Sequence, residues 1–445
     1  MRTILFLLLM AAKIHAQTIQ FPVKASNNKK YLADQAGKPV FLNGCASWRL
    51  TYALTFQEAR QYLKDRKAKG FNAVMIHITP DIELLKDINT NMSYRPNAFF
   101  DRDISKPNEQ FFSHFDSVLN LCNEMNMAVF VAPLYLGCCK DGWLEIIQQY
   151  PDGEKKCREY GQWFANRYKH FPNLIWVSGG DHNAVPESIA FAEGIASVDT
   201  SHLHTSHAHP GKSSAERFPG KKWHTLSSAY TYFPAMETDT NWQYHHVYEM
   251  FYKEMLNNYR MPSILIESAY EDERNTTTQM IRRQAYWSLL SGASGHIYGH
   301  RDVWRMNNNW MNALNTPGVE SMRIFQSFIK TIPWYNMKAD WAHSVFTSGR
   351  GYFNSTINPG GEDYATGGMS YDSTMAVLYI PSYRKVCVNM QRFRSAVTAK
   401  WFDPSSGIYK NVAGTFKNSG VSYFTPPSLT NSKGFDDWVL VVLSK

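Results

Sequence analysis

Between Pro39 and Tyr298, eight short apolar runs alternate with amphipathic stretches, and this alternation restricts the possible folds more than any other feature of the chain. Short apolar runs that alternate with helical patterns are typical of β-α units around a parallel sheet. Eight strands are the number that a closed (β/α)₈ barrel needs. The predicted strands are residues 40–43, 73–78, 128–134, 174–177, 202–206, 226–230, 263–266 and 294–298.

The segments between these runs support the barrel because they have apolar residues at helical spacing. In residues 56–69, Ala59, Tyr62 and Leu63 share one helical face, and Gly70 ends the helix before the next strand. The other predicted helices are residues 111–125, 154–168, 186–195, 247–258, 277–290 and 319–331. The predicted fold class is therefore α/β, a (β/α)₈ TIM barrel.

From Phe346 onwards the pattern changes to turn-rich segments between short β-branched and aromatic runs, which is typical of an antiparallel β-sandwich. The predicted strands there are residues 375–380, 386–390, 396–402, 409–412 and 438–443. Residues 17–38 are predicted to form a hairpin that closes the bottom or side of the barrel. We divide the chain into a signal peptide (1–16), a barrel domain with its hairpin (17–345) and a C-terminal β-sandwich accessory domain (346–445).

The first residues have the pattern of a signal peptide: Arg2 gives a basic start, residues 4–12 are mostly apolar, and Ala16 is a small residue at the cleavage point. The apolar run is too short to span a bilayer, and no later run is long enough. We expect a secreted or periplasmic protein without membrane insertion.

The charge and the cysteines exclude several classes of partner and cofactor. The net charge is +8, but the basic residues are scattered, so no nucleic-acid-binding stripe is predicted. A net positive charge is explained by solubility alone, and it would also favour the binding of an acidic polysaccharide. Among six cysteines there is no CxxC pair to hold zinc, although Cys138 or Cys139 could pair with Cys157. We predict no cofactor.

Two carboxylates stand where predicted barrel strands end. Asp181 follows the fourth strand directly after Gly179-Gly180, and Glu267 ends the seventh strand. The βα loops of such a barrel converge on its C-terminal face, so both acids should lie at one mouth. Asp181 alone could cap a helix, and Glu267 alone could pair with an arginine. Together they have the arrangement that cleaves an acetal, and acids on these strands lie close enough to predict a retaining mechanism.

This mechanism needs Asp181 protonated and Glu267 ionised near neutral pH. We expect Glu267 to be kept ionised by donors such as a tyrosine hydroxyl, a histidine or Arg301.

Aromatic and polar residues follow the same strand ends and are candidate sugar-binding residues, although core packing also explains any one of the aromatics. The aromatic candidates are Trp48, Tyr135, Tyr230, Tyr232, Tyr270, Tyr298 and Trp304. The polar candidates are His209, Glu271, His296, His300 and Arg301.

Four histidines on the fifth strand, namely His202, His204, His207 and His209, raise the alternative of a metal site. Only residues of the same parity share a strand face, and no acid follows in the sequence to support them. We therefore predict no metal. The chain also lacks a G-x-S-x-G nucleophile motif.

Over nearly its whole mature length the chain resembles the apiosidase-like glycoside hydrolases, which join a barrel to a C-terminal domain once labelled as collagen-binding. The matching barrel motifs are Lys29-Lys30-Tyr31-Leu32, Gly37-Lys38-Pro39, residues 63–72, Gly179-Gly180-Asp181, His209-Pro210, residues 267–271, and residues 295–300 with Trp304. The matching C-terminal motifs are residues 401–404, 424–427 and 437–440.

This resemblance implies that Asp181 is the acid/base and Glu267 the nucleophile of a glycosidase that acts on a poly- or oligosaccharide. The family pattern Gly-Asp-Thr-Ala-Trp-Glu after strand one is replaced here by Gly44-Cys45-Ala46-Ser47-Trp48-Arg49. Acids are thus absent at Cys45 and Arg49, so we expect a sugar other than apiose. The alternatives are a carbohydrate-binding protein without turnover and a metal-dependent barrel hydrolase.

Overall fold

The computed structural model describes residues 18–79, 97–137, 142–207, 209–231, 246–353 and 363–445. The predicted signal peptide, Tyr232 and the Cys138-Cys139 pair lie outside these residues. Within the described ranges, no helix has the length and apolar character needed to cross a membrane.

Eight parallel strands form a nearly closed barrel, which confirms the predicted fold class and all eight predicted strands. They are β3 (Leu42–Ala46), β4 (Ala73–His77), β5 (Ala128–Ala132), β6 (Leu174–Gly179), β7 (Leu203–His207), β8 (Ser227–Tyr230), β9 (Ser263–Glu267) and β10 (Gly295–Tyr298). Strand β10 pairs with β3 and closes one side. Strands β7 and β8 are not paired by a ladder of backbone hydrogen bonds. They are joined instead by individual side-chain hydrogen bonds, such as that from Ser228 Oγ to the Ser206 carbonyl (2.6 Å).

The alternation of side chains in these strands explains how the barrel is filled. In β5, Ala128, Phe130 and Ala132 point into the barrel, whereas Val129 and Val131 pack against the surrounding helices. Both faces of this strand are therefore apolar, as expected for a parallel strand that is covered by helices.

The helices are α1 (Leu50–Ala53), α2 (Phe56–Ala68), α3 (Glu109–Glu124), α4 (Leu144–Ile147), α5 (Gly153–Tyr168), α6 (Pro186–Ala196), α7 (Ser214–Arg217), α8 (Val247–Leu256), α9 (Thr278–Leu290), α10 (Arg301–Arg305) and α11 (Pro317–Ile329). Short 3₁₀ turns lie at Phe100–Arg102, Asn312–Asn315, Trp334–Asn336 and Met390–Arg392. Helix α2 begins with a capping box in which Thr55 and Glu58 bond each other's backbone N–H groups.

The N-terminal hairpin closes the bottom of the barrel, as predicted. It consists of β1 (Lys24–Ala25) and β2 (Leu32–Ala33), which pair antiparallel. Val23 and Leu32 join the apolar cluster inside the barrel, and the Leu32 N–H donates to Ser294 Oγ at the start of β10.

The C-terminal strands form two antiparallel sheets, which confirms the predicted sandwich. The larger sheet has the order β11-β13-β14-β19-β16-β17, and the smaller has the order β12-β15-β18. These strands are β11 (Met337–Ala339), β12 (Phe346–Ser348), β13 (Thr366–Ser370), β14 (Met375–Ile380), β15 (Val386–Asn389), β16 (Val397–Phe402), β17 (Tyr409–Asn411), β18 (Val421–Phe424) and β19 (Trp438–Ser444).

The larger sheet packs on the last two long barrel helices. The rings of Tyr286 in α9 and Tyr379 in β14 stack at 4.8 Å, and both belong to the apolar cluster that surrounds the barrel. Arg282 Nη2 lies 2.7 Å from Asp437 Oδ1, with both side chains buried. The sandwich therefore shares a core with the barrel, since side chains of both regions pack in one cluster.

Candidate active site

Asp181 is placed at the mouth by a tight glycine turn at the end of β6. Gly179 has φ +100°, and a Cβ there would lie 2.3 Å from the His207 carbonyl oxygen. A Cβ on Gly180 would lie 2.6 Å from the backbone nitrogen of Gly137. Neighbouring backbone atoms lie where a Cβ would be at these two positions. Glycine therefore allows the close approach that the turn requires, and the turn brings Asp181 to the rim.

Glu267 is turned into the barrel by an irregularity between β8 and β9. Ile264 and Ile266 point inward, so strict alternation would direct Glu267 toward the helices. The register passes from Ala229–Leu265 directly to Tyr230–Glu267, so β9 has one extra residue at this point. A bulge of this kind re-aims the side chain that follows it. The carboxylate is consequently inside the mouth.

His207, at the end of β7, lies between the two carboxylates. Its Nε2 is 2.5 Å from Glu267 Oε2, and its Nδ1 is 2.9 Å from Asp181 Oδ1. One oxygen of Asp181, one of Glu267 and one ring nitrogen of His207 lie within 4.8 Å of one another. The histidine side chain is only 3% exposed, whereas that of Asp181 is 20% exposed. Asp181 is thus the most accessible member of the trio.

The electrostatics of the trio favour a positive His207. Burial would lower the pKa of His207, but the adjacent Asp181 and Glu267 carboxylates raise this pKa to about 10. Burial raises the pKa of Glu267 to about 7, although its hydrogen bonds from His207 and Tyr270 act in the opposite direction. The expected tyrosine and histidine donors are present, yet the desolvation of Glu267 brings its titration close to neutral pH. Arg301, a third expected donor, contacts Asp302 instead.

Aromatic rings form one wall of the site. Tyr135 OH donates to Asp181 Oδ2 (3.3 Å), and its ring stacks on His77 at 4.2 Å. His77 lies 4.1 Å from the Trp48 ring on its other side. Trp48 Nε1 donates to Tyr270 OH (2.9 Å), which connects this wall to the residue that bonds Glu267.

Tyr230 and His209 complete the candidates near the trio. The Tyr230 ring lies 5.0 Å from that of His207. His209 is half-buried on the loop after β7, where its N–H donates to the His182 carbonyl. The structure therefore brings Trp48, Tyr135, Tyr230 and Tyr270 against the trio, with His209 on the adjoining loop.

Glu271 and Tyr298 lie in a buried network behind the site. Glu271 accepts hydrogen bonds from Tyr298 OH (2.5 Å), Thr316 Oγ1 (2.7 Å) and the Gly318 N–H (2.7 Å). This network caps the N-terminus of α11. We therefore assign a structural role to both residues.

His296 and His300 also have structural surroundings. In β10, Ile297 points into the barrel, so His296 points to the helix layer, where it packs near Phe325. Burial lowers the pKa of His296 to about 3, so its ring is neutral. His300 caps α10 by accepting from the Asp302 N–H (3.0 Å).

The two positions that depart from the family pattern have different surroundings. Cys45 is fully buried among the helices, and its thiol sulphur accepts a hydrogen bond from Tyr62 OH (3.0 Å). The Arg49 guanidinium lies 5.1 Å from the Trp304 ring, and its charge is among the causes that lower the pKa of His77, after burial and His207. Arg49 is therefore close to the aromatic wall, whereas Cys45 is not.

His77 and His207 belong to the site but are not among the site residues that the sequence predicts. The sequence suggests only a metal-binding role for His207. Alternation along the strand nevertheless directs His207 into the barrel, as it does Leu203 four residues earlier, and His207 ends the strand at the mouth. His202 and His204 have other partners: His202 Nδ1 lies 2.6 Å from Asp199, and His204 Nε2 lies 2.6 Å from Ser178 Oγ.

Within the described residues, the trio has the spacing to hold a metal ion. Ligation would need a neutral imidazole, so a cation would have to displace the proton on His207.

Two family models match the chain. Residues 26–336 match the model described as "Apiosidase-like, catalytic domain", and residues 358–443 match "Putative collagen-binding domain of a collagenase". No curated protein matches.

Solved structures agree with the fold. A protein titled "Glycoside hydrolase" has a TM-score of 0.78 at 22% identity, covering 95% of this chain and 97% of its own. A glycoside hydrolase family 5 protein from Bacteroides vulgatus has a TM-score of 0.79 at 22% identity, covering 95% and 93%. At this identity the likeness shows the fold. The first family match, which spans more than half of the chain, shows that this glycoside hydrolase belongs to the apiosidase-like family.

Proposed function

We propose that the protein is an exported, retaining glycoside hydrolase that cleaves O-glycosidic bonds in a complex polysaccharide. The observation that supports this most is the pair of carboxylates at one barrel mouth, with oxygens of Asp181 and Glu267 within 4.8 Å. Retaining enzymes have carboxyl groups about 5 to 5.5 Å apart, whereas inverting enzymes leave about 6.5 to 9.5 Å for a water molecule. The short separation favours a covalent intermediate.

In the first step, a Glu267 oxygen attacks the anomeric carbon while the glycosidic C–O bond breaks. Asp181 gives its proton to the leaving oxygen, so an alcohol departs and a glycosyl ester on Glu267 remains. Asp181 is 20% exposed and Glu267 is 7% exposed, and the greater exposure suits a group that must exchange its proton with solvent.

In the second step, Asp181 accepts a proton from water, whose oxygen attacks the anomeric carbon. The ester bond breaks, Glu267 recovers its negative charge, and the sugar is released with its original anomeric configuration. His207 holds a positive charge beside Glu267 in both steps, which stabilises the carboxylate that must attack and later leave. We propose it as a positioning residue.

The sugar bound beside strand β3 is proposed to differ from apiose. The acid lost at Cys45 lies on the helix side of the barrel, so this exchange leaves the mouth unchanged. The exchange at Arg49 places a cation beside Trp304 instead of an anion. A sugar with a carboxylate, or with hydroxyls that accept from the guanidinium, would suit this position. Arg49→Gln should then raise KM with little change in kcat.

The function is tested by incubating the purified protein with plant and host polysaccharides and measuring released reducing sugar. The Glu267→Gln variant keeps the shape of the side chain but cannot attack, so it should release none. Release by the wild type alone supports hydrolysis. Binding without release by either protein would identify a carbohydrate-binding protein instead.

A metal-dependent hydrolysis is the second candidate, because the trio has the spacing of a cation site. Dialysis against a chelator separates the two mechanisms. Unchanged turnover after dialysis supports the carboxylate mechanism, whereas loss that is restored by one divalent cation would support the metal.

Export is proposed from the N-terminal sequence alone. Sequencing of the mature protein from the secreted or periplasmic fraction should give Gln17 as the first residue. A mature protein that begins at Met1 would contradict this.

A further inference from the structure

A groove of about 890 Å³ lies at the end of the barrel opposite the catalytic pair. It is bounded by the N-terminal hairpin, the C-terminal end of α8, the starts of β9 and β10, and strands β11 and β13 of the sandwich. Ser263, the first residue of β9, lines the groove, and Glu267 ends the same strand. Four residues of extended strand separate them by about 13 Å. The groove is therefore distinct from the active site.

Aromatic side chains line this groove. They are Tyr31, Phe251, Tyr259, Trp334, Tyr335, Trp341 and Tyr371. Tyr335 and Tyr371 are 44% and 52% exposed, so both rings are accessible to a ligand. Tyr31 packs against both Trp334 (6.2 Å) and Tyr335 (5.8 Å), so the rings are held in place. Flat, fixed and exposed rings are suited to stacking on sugar rings.

The charged residues of the groove are strongly one-sided. Five exposed basic residues line it, namely Lys29, Lys30, Arg260, Lys338 and Arg392. The two acidic lining residues are both buried: Glu254 bonds Ser227 inside the protein, and Asp340 contacts Arg350 at 3.1 Å. Among the described residues that line the groove, the accessible charge is thus entirely positive, which favours an anionic ligand.

One contact connects the basic and aromatic groups directly. Lys30 Nζ donates to Tyr371 OH (2.6 Å) and lies 4.6 Å from the centre of the Tyr371 ring. This contact joins the hairpin of the barrel to the sandwich across the groove. A ligand seated there would touch both regions at once.

We propose that this groove binds an anionic polysaccharide, whose rings stack on Tyr335 and Tyr371 while its carboxylate or sulfate groups contact the surrounding lysines and arginines. The volume lies within the roughly 300 to 1,000 Å³ of typical ligand sites. Binding at the barrel's far end would retain a long polymer on the enzyme between cleavage events. The site goes beyond the proposed hydrolysis and does not depend on it.

The test measures binding without turnover, in the full mature chain with Glu267→Gln. The probes are polygalacturonate for carboxylates, dextran sulfate for sulfates, and galactomannan as a neutral polymer. Affinity electrophoresis or calorimetry should detect binding to one or both anionic probes that weakens as NaCl rises. Adding Tyr335→Ala and Tyr371→Ala should weaken it at least tenfold. Adding Lys338→Gln and Arg392→Gln should weaken it and reduce its salt dependence.

The matched control adds Tyr383→Ala and Tyr423→Ala, which remove two exposed rings that do not line the groove. This control should bind normally, and all variants should unfold cooperatively on heating, as a folded protein does. With an intact Glu267, the groove variants should also hydrolyse a small substrate at the wild-type rate. Absence of binding to both anionic probes, equal binding to galactomannan, or unchanged binding by the groove variants would overturn the proposal.

Discussion

His207 Nε2 lies 2.5 Å from Oε2 of Glu267, so the carboxylate proposed to attack the sugar is in direct contact with a buried imidazole. The other nitrogen of that imidazole lies 2.9 Å from Asp181. The imidazole is consequently in contact with both carboxylates, and these raise the pKa of His207 to about 10. Two carboxylates alone would repel each other, and the imidazolium offsets this repulsion.

We predict that His207→Asn lowers kcat about 10- to 100-fold, because a hydrogen bond to a buried charge contributes about 1.5 to 3 kcal/mol. Loss of the positive charge also raises the pKa of Glu267, so the acid limb of kcat/KM should move to higher pH. A purely structural role would lower activity without moving this limb. His204→Asn, which removes another buried histidine of β7, is the matched control and should leave the limb in place.

The wild-type kcat/KM should rise with pH through about 7, because the pKa of Glu267 is raised to about 7 and the carboxylate must be ionised to attack.

The raised pKa of Glu267 also affects the stability of the protein. The protonated Glu267 contributes its full share to the free energy of unfolding below the pKa of the unfolded chain, near 4.5. This contribution is lost as pH rises through the folded-state pKa of about 7. The protonated His207 likewise contributes its full share to the free energy of unfolding below the pKa of the unfolded chain, about 6.5. This contribution is lost as pH rises through the folded-state pKa of about 10.

Urea unfolding should therefore show stability that declines from weakly acidic to alkaline pH. In Glu267→Gln the decline between pH 4.5 and 7 should be smaller. An acid limb near pH 4.5 in the wild-type activity would contradict the buried environment of Glu267.

Gly299→Ala should disturb the active site indirectly, by displacing the ring of Tyr270. A Cβ there would lie 2.1 Å from Cδ1 of Tyr270, so the ring must shift, which disturbs its hydrogen bonds with Trp48 and Glu267. We expect kcat to fall at least tenfold and stability to fall by about 1 to 3 kcal/mol. Tyr270→Phe keeps the ring and removes only its hydroxyl, so it should lower kcat with a smaller change in melting temperature. Wild-type kcat in Gly299→Ala would show that the position of Tyr270 is unimportant.

The buried pair between barrel and sandwich should stabilise the whole chain. Asp437→Asn leaves the Arg282 charge buried without its partner anion, and breaking such a pair costs about 3 to 5 kcal/mol. Glu320→Gln breaks the exposed pair with Arg323 and should cost at most about 1 kcal/mol. Thermal unfolding of the two variants measures the difference. Equal melting temperatures would mean that the sandwich does not stabilise the barrel through this pair.

The sequence was sufficient for features that depend on local patterns. Strands such as β4 and β5 are predictable because each is a continuous apolar run, and Asp181 is predictable because it directly follows a strand of this series. Strand β13 was missed because Gly367 and Gly368 weaken its β pattern. Gly367 is needed there because a Cβ would lie 2.7 Å from the Phe346 ring.

Features that depend on distant residues required the structure. The inward direction of Glu267 results from a register shift against β8, which the sequence of β9 does not reveal. The sequence predicts a sugar-binding role for Glu271 because it does not reveal the residue's partners, Thr316 and Gly318, which lie more than forty residues away. The outward direction of His296 was predictable, since alternation with Ile297 determines it.

The most direct test of the account follows the stereochemistry and the covalent intermediate in one experiment. The Asp181→Ala variant is mixed with a glycoside whose leaving group needs no protonation, and the protein is analysed by mass spectrometry while ¹H NMR follows the first anomer released. The proposed mechanism predicts a glycosyl adduct on the peptide that contains Glu267 and a product with retained configuration. An inverted product, or an adduct on any residue other than Glu267, would contradict it.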